Sequence, residues 1–205
     1  MDMFSMFSDN SNEEQVPEEL VAIYDLETQR SADEVGWDNI DLMYMSVGVV
    51  HLLPEDKTLV FFEEDVEEMV DVLSKRDRIV SYNGLHFDNT VLSFYTKENL
   101  GMFPNTDMML DINEALGRER SLPLDNVAQA TLGGRGKSSD PLNVFDWYKN
   151  GELDKIKDYC TNDVIITTDV FVYGRVHGEI YFTNRNGKRI LTPVNWTIRR
   201  EDHQL

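Results

Sequence analysis

Leu20-Val21-Ala22-Ile23-Tyr24-Asp25-Leu26-Glu27 is the stretch on which the fold turns. The apolar run from Leu20 to Tyr24 reads as a buried central strand. Asp25 and Glu27 follow at positions i and i+2, so both carboxylates point to one side of the sheet, at the carboxyl end of that strand. Two like charges set side by side raise the free energy unless a proton or a cation compensates. Hard divalent cations such as Mg²⁺ and Mn²⁺ take oxygen ligands of this kind.

Two further acidic motifs lie downstream. Tyr82-Asn83-Gly84-Leu85-His86-Phe87-Asp88 follows the short apolar strand Arg78-Ile79-Val80-Ser81, and Gly84 reads as the residue that lets the backbone turn sharply out of it. Asp88 then falls in the first turn of a helix starting near Phe87, where a carboxylate complements the helix dipole or serves as a ligand. Tyr159-Cys160-Thr161-Asn162-Asp163 lies inside a helical stretch over residues 152–177. Tyr159 and Asp163 are four apart and share a face. An acid beside the apolar stripe of Ile156, Val164, Ile165, Val170 and Phe171 needs a partner, and a metal ion would be one.

These three motifs together resemble the DEDD superfamily of 3′–5′ exonucleases. Asp25 and Glu27 match its D-x-E motif, Asn83-Gly84 with Phe87-Asp88 match N-G-x-x-F-D, and Tyr159-x-x-x-Asp163 matches the third motif in its tyrosine form (DEDDy). The histidine form would place His at position 158, where this chain has Asp158. The resemblance runs over residues 20–177 and is closest to YprB-like ribonuclease H-like domains. The Tyr-Cys-x-x-Asp segment is also similar to the proofreading domain of family B DNA polymerases.

The resemblance implies an α/β, ribonuclease H-like fold, a mixed five-stranded sheet flanked by helices. It also implies two divalent ions, Mg²⁺ or Mn²⁺, held by Asp25, Glu27, Asp88 and Asp163. Asp25 would bridge them, Glu27 and Asp163 would complete the nucleophile side, and Asp88 would help hold the second ion. Tyr159 would orient the attacking water, and the product would be a nucleoside 5′-monophosphate released from a 3′ end. The implied partner is nucleic acid with a free 3′ end, single-stranded, with the backbone of Thr28 and the motif residue Asn83 beside the terminal nucleotide. A structure-selective endonuclease and a non-catalytic ribonuclease H-like module are the alternatives. No residue chooses between DNA and RNA, because none reports 2′-hydroxyl recognition.

Composition is compatible with this. A chain of 205 residues, 41% hydrophobic, can bury one substantial core. No apolar run is long enough to span a bilayer, and the start lacks the pattern of a signal peptide, so no membrane association is expected. The single cysteine, Cys160, points to a cytoplasmic chain and reads as a small packing residue rather than a nucleophile. A net charge of −19 argues against passive nucleic-acid binding, which draws on Lys and Arg. Metal ions would offset the catalytic acids, and the acidic surface is a candidate site for a protein partner. Residues 1–19 read as an acidic, disordered lead-in, residues 20–178 as the exonuclease domain, and residues 179–205 as a basic β-hairpin extension packed on it. Glu63-Glu64-Asp65 and Glu67-Glu68 read as the solvated face of a helix running to about Lys75.

Strands are expected over residues 43–53, 58–62, 78–81 and 107–110, with residues 28–39 as a polar loop. Helical pieces are expected over residues 112–116, 124–132 and 143–149. Gly133-Gly134-Arg135-Gly136-Lys137-Ser138-Ser139 is no P-loop, because Thr131 stands where its first glycine belongs. Arg135 and Lys137 are instead candidates to reach substrate phosphates. Residues 180–183 and 189–198 read as a hairpin turned at Asn186-Gly187. Its Arg185, Lys188 and Arg189 are further phosphate candidates, and Tyr181, Phe182 and Trp196 are expected to add aromatic surface for base stacking.

Overall fold

The computed structural model describes residues 18–117, 122–134 and 143–197. In chain order the elements are β1 (Val21–Thr28), α1 (Ala32–Val35), β2 (Met45–Leu53), β3 (Lys57–Phe62), α2 (Val66–Ser74), β4 (Arg78–Ser81) and α3 (Asp88–Leu92). They continue as β5 (Asn105–Asp107), α4 (Met108–Ala115), α5 (Leu124–Leu132), α6 (Asn143–Lys149), α7 (Leu153–His177), β6 (Glu179–Thr183) and β7 (Arg189–Pro193).

Five strands form one sheet in the order β3-β2-β1-β4-β5. Strands β3, β2 and β1 are antiparallel neighbours, whereas β4 runs parallel to both β1 and β5. The sheet is therefore mixed and carries helices on both faces, the ribonuclease H-like arrangement. Its central strand is β1, whose Val21, Ala22, Ile23 and Tyr24 are at most 1% exposed. Alternation along β1 divides the core in two. Val21 and Ile23 pack with Val127 and Ala128 of α5 and with Ile156, Cys160 and Val164 of α7. Ala22, Tyr24 and Leu26 pack with α2 and with Val91 and Leu92 of α3. Helix α2 shows why: Val66, Met69, Val70 and Leu73 recur at i, i+3, i+4 and i+7 and are buried, while Glu67, Glu68 and Asp71 face solvent. Each such side chain, fully buried, contributes about 1.5–3 kcal/mol.

Several expected elements shift, each for a local reason. The fifth strand is Asn105–Asp107, and a helix already starts at Met108. The Asp107 carboxylate accepts the Met109 and Leu110 N–H groups and so begins the helix where an apolar triplet suggested a strand. The loop expected after β1 contains α1 and a 3₁₀ segment, Trp37–Met43; Ser31 N–H donates to Glu34, three residues on, at 2.9 Å. Glu19 is not part of a lead-in. It pairs with Arg78 (2.9 Å) and Arg175 (3.2 Å) and so joins the folded body. Residues 1–17 lie outside the described residues.

The hairpin is anchored rather than free. Strand β7 ends at Pro193, which has no N–H for a ladder. The edge of β6 is closed by side chains of α5: the Asn126 amide bonds both backbone groups of Thr183 (2.8 and 3.0 Å), and Thr131 Oγ1 serves both those of Tyr181 (3.0 Å each). Trp196, expected on the surface, is 1% exposed, and Phe182 is 3% exposed. The Trp196 ring stacks on Phe171 of α7 at 5.8 Å, over Gly174, where an added Cβ would stand 2.4 Å from the indole. Its Nε1 donates to Asp111 at 2.8 Å. Replacing Trp196 with Ala should therefore cost about 3–5 kcal/mol, and Trp196→Phe, which keeps the stack but loses the Nε1 hydrogen bond to the Asp111 carboxylate, about 1.5–3 kcal/mol. Urea denaturation midpoints measure both; midpoints equal to that of the parent protein would mean that the indole is not a core residue.

Candidate metal centre

On β1, Asp25 and Glu27 continue the face begun by Val21 and Ile23, the face that α7 covers. Helix α7 turns Ile156, Tyr159, Cys160, Asp163 and Val164 inward, at spacings that keep them on one stripe. The contact point is Cys160, whose Sγ donates to the backbone oxygen of Asp25 at 3.4 Å. A small side chain there lets the helix come close to the strand, with Asp163 one turn further along. One carboxylate oxygen from each of Asp25, Glu27 and Asp163 lies within 4.8 Å of the others. Asp163 is 2% exposed, while Asp25 and Glu27 are half-buried. Burial, then the charges of Asp25, Glu27 and Asp163, push the Cys160 thiol well above its usual range, which keeps it protonated and inert.

Asp88 arrives from the opposite layer. Strand β4 pairs with β1 only as far as Ile23, so the Leu26 N–H beyond has no strand partner on that side and donates instead to Asp88 Oδ1 at 3.1 Å. Asp88 is 3% exposed. Burial, and next the charge of Asp25, raise its pKa well above the carboxylate range, against the opposing pull of backbone N–H donors. The turn leading to it departs from expectation. Asn83 takes the left-handed conformation (φ 70°), not Gly84. Gly84 is required for closeness: an added Cβ would stand 2.4 Å from Ser81 Oγ and 3.1 Å from the Tyr24 hydroxyl. Tyr24 in turn donates to Asn89 at 2.6 Å and fastens α3 to β1.

Sequence reasoning missed Asp107. Besides the two N–H groups at the start of α4, its carboxylate accepts Asn83 N–H and Leu85 N–H, each at 3.0 Å, so one buried side chain holds the turn that carries Asp88. An aspartate just ahead of the buried pair Met108 and Ile112 was the available signal.

The donor set is all oxygen and all carboxylate, which suits Mg²⁺ or Mn²⁺. Oxygens on opposite sides of one such ion stand about 4.2 Å apart, so Asp25, Glu27 and Asp163 could close on it through small rotations. Asp88 lies buried at the same strand end, close enough to feel the charge of Asp25.

Of the other expected site residues, Tyr159 is 5% exposed, one turn before Asp163, with Trp147 edge-on to its ring at 6.2 Å. Thr28 is buried at a bulge in β1, its hydroxyl donating to Arg30 O at 3.0 Å. The Asn83 N–H is taken by Asp107. Arg185, Lys188 and Arg189 are exposed on the hairpin; the Arg189 guanidinium lies 3.4 Å from the Tyr181 ring centroid and its Nε donates to Ala130 O. Arg135 and Lys137 lie outside the described residues. Glu63 is no solvated helix residue: its carboxylate accepts Gln29 Nε2 (2.6 Å) and the Tyr95 hydroxyl (2.7 Å).

Residues 103–202 match the model of a family described as a predicted 3′–5′ exonuclease related to the exonuclease domain of PolB. The fold is similar to that of the family B DNA polymerase from the hyperthermophilic archaeon Pyrobaculum calidifontis, with a TM-score of 0.60 and 19% identity. That likeness covers 77% of this chain and 25% of the polymerase, so the chain spans about a quarter of its length. The search of curated proteins found no match. Of the three motifs, the family model spans the third, Tyr159 to Asp163; the polymerase shares the fold.

A consequence of the Asp88 environment is measurable without any substrate. A carboxyl whose folded pKa is raised holds its proton longer folded than unfolded, so metal-free stability falls as pH climbs from about 4, the unfolded value, through the folded one. In EDTA, Asp88→Asn should remove that decline, since the amide oxygen still accepts the Leu26 N–H. Thermal melts at pH 5 and pH 8 should differ less in the variant; an unchanged difference would place the titrating group elsewhere.

Proposed function

We propose that this chain is a metal-dependent 3′–5′ exonuclease that hydrolyses phosphodiester bonds of DNA or RNA and releases nucleoside 5′-monophosphates. The observation that carries the reading is the convergence of Asp25, Glu27 and Asp163 within 4.8 Å at the end of the central strand. Asp88, held on Leu26 N–H beside them, supplies a fourth acid from the other layer. The match to a family of predicted exonucleases supports the same reading.

In a tyrosine-type two-ion arrangement, Asp25, which neighbours Glu27 and Asp163 and whose charge reaches Asp88, would be the residue to share two ions. When bound, Mg²⁺ or Mn²⁺ would supply an activated water and a counter-charge for the leaving oxygen. The chain itself holds Asp25, Glu27 and Asp163 on two rigid elements, a central strand and a long helix, and Asp88 at the start of α3, so their positions vary little during turnover. The Tyr159 phenol, both donor and acceptor, orients the attacking water. The water oxygen forms the new bond to phosphorus, the bond to the 3′ oxygen breaks, and that oxygen ends as the 3′ hydroxyl of the shortened strand.

A 5′-labelled strand incubated with Mg²⁺ or Mn²⁺ should yield a ladder shortened from the 3′ end, while an internally labelled circular single strand stays intact. Asp25→Ala should abolish the ladder with the fold retained. Full activity in that variant would remove Asp25 from the centre, and cutting of the circle would make the enzyme an endonuclease. Tyr159→Phe should lose about 10²–10⁴-fold in kcat while keeping metal binding, the span typical of positioning and proton-transfer roles. Parental turnover would leave Tyr159 as a packing partner of Trp147. Mn²⁺ at about 100 times its Kd should stabilise the parent by roughly 2.7 kcal/mol, an effect that shrinks in Asp25→Ala/Asp163→Ala. Equal stabilisation of both proteins would put the ion elsewhere.

A further inference from the structure

Beyond Glu27 the chain builds a second feature that the acids do not use. Strand β1 carries a bulge between Glu27 and Thr28, and past it Gln29 N–H donates to Tyr44 O (2.9 Å) and Arg30 N–H to Met43 O (3.1 Å). These bonds hold Tyr44 at φ 54°, ψ 141°, a conformation that a tyrosine seldom adopts unless its surroundings impose it. The result is an aromatic group at the edge of the site. The Arg30 guanidinium carbon lies 4.5 Å from the Tyr44 ring centroid, and Phe94 packs on the same ring at 4.5 Å. Tyr95 braces Phe94 edge-on at 5.1 Å, its own hydroxyl fixed between Met45 N–H and Glu63. Phe94 is nonetheless 49% exposed, and Arg30 is exposed as well.

Two elements place this group near the metal centre. Arg30 is three residues past Glu27, at most about 10 Å of extended chain, and Phe94 is six past Asp88, in the turn that continues α3 through Ser93 N–H to Asn89 O (3.0 Å), about 9 Å at helical rise. Bulges recur beside active sites because they re-aim the chain. Phe94 and Arg30 both pack on the Tyr44 ring, and Arg30 is ion-paired to no carboxylate among the described residues.

We propose that Phe94 and Arg30, braced by Tyr44 and Tyr95, form a subsite for single-stranded nucleic acid adjacent to the metal centre. A base stacks on Phe94 and a backbone phosphate meets the Arg30 guanidinium, which keeps a face and its donor edge for an anion while stacked on Tyr44. Stacking needs an unpaired base, so the subsite selects single strands over duplex. This rests on the exonuclease reading, because the subsite is positioned for nucleotides next to the scissile bond.

The test separates the two. Binding of fluorescent decathymidylate is measured in EDTA, where no turnover occurs, and hydrolysis of the p-nitrophenyl ester of thymidine 5′-monophosphate is measured with Mn²⁺, because that ester reaches only the metal centre. Phe94→Ala should weaken decathymidylate binding roughly five- to hundredfold, and Phe94→Tyr should restore it. Arg30→Gln should flatten the log–log salt slope by about 0.7. All three variants should cleave the ester at the parental rate. Parental decathymidylate affinity in both Phe94→Ala and Arg30→Gln overturns the subsite. So does loss of ester cleavage, which would make the group a support for the metal centre, or a blunt duplex that binds as tightly and suffers as much from Phe94→Ala. If the parent cleaves neither substrate yet the binding differences persist, the subsite stands and the exonuclease reading falls.

Discussion

The closeness of α7 to the end of β1 is the constraint on which the site depends. It is set where the Cys160 thiol meets the backbone oxygen of Asp25 at 3.4 Å. A larger residue at position 160 would push the helix outward and carry Asp163 away from Asp25 and Glu27. The apolar parts of the same two elements supply the free energy that holds the carboxylates together against their repulsion. Val21 and Ile23 on the strand and Ile156 and Val164 on the helix are wholly buried, each contributing about 1.5–3 kcal/mol. The centre is thus a region of electrostatic stress placed at the rim of a core strong enough to support it.

The second layer reaches the same point by hydrogen bonds rather than by packing alone. Parallel pairing of β1 with β4 stops at Ile23, and Asp88 takes over the Leu26 N–H. What carries Asp88 there is Asp107, which collects N–H groups from the turn after β4 and from the start of α4. A buried carboxylate satisfied by several backbone donors is a rigid joint, and losing it would free both the turn and the helix start. Asn126 and Thr131 play a comparable part for the hairpin, where amide and hydroxyl groups finish a strand edge that would otherwise be open.

The chain carries 19 Lys and Arg against 38 Asp and Glu. Several of the described cations are used internally: Arg78 ties Glu19 and the carbonyls of Trp196 and Thr197 to the start of β4, and Arg189 lies on Tyr181. Arg78 opens β4 beside Val21, so the carboxyl-terminal segment is fastened at the end of the sheet opposite the acids. Arg30, also stacked on a ring, differs in its place, at the same strand end as Asp25 and Glu27.

The sequence by itself determined the central strand, α2, α5, α6 and α7 and the positions of the acids along the chain. Those features are periodic or contiguous, and local patterning is enough to read them: alternation on β1, the 66-69-70-73 stripe of α2, the four-residue spacing of Tyr159 and Asp163. Only the tertiary structure decided which face each acid meets. A carboxylate that caps a helix, one that closes a turn and one that faces an ion carry the same local signature, so the turn and cap that Asp107 holds from the end of its strand went unread and Glu63 passed for a solvated residue. Trp196 looked like surface because its partners, Phe171 and Asp111, lie 25 and 85 residues away in the chain. Long-range contacts of that kind leave no period in the sequence. They are selected when the two layers close over β1 and every buried donor has to find an acceptor.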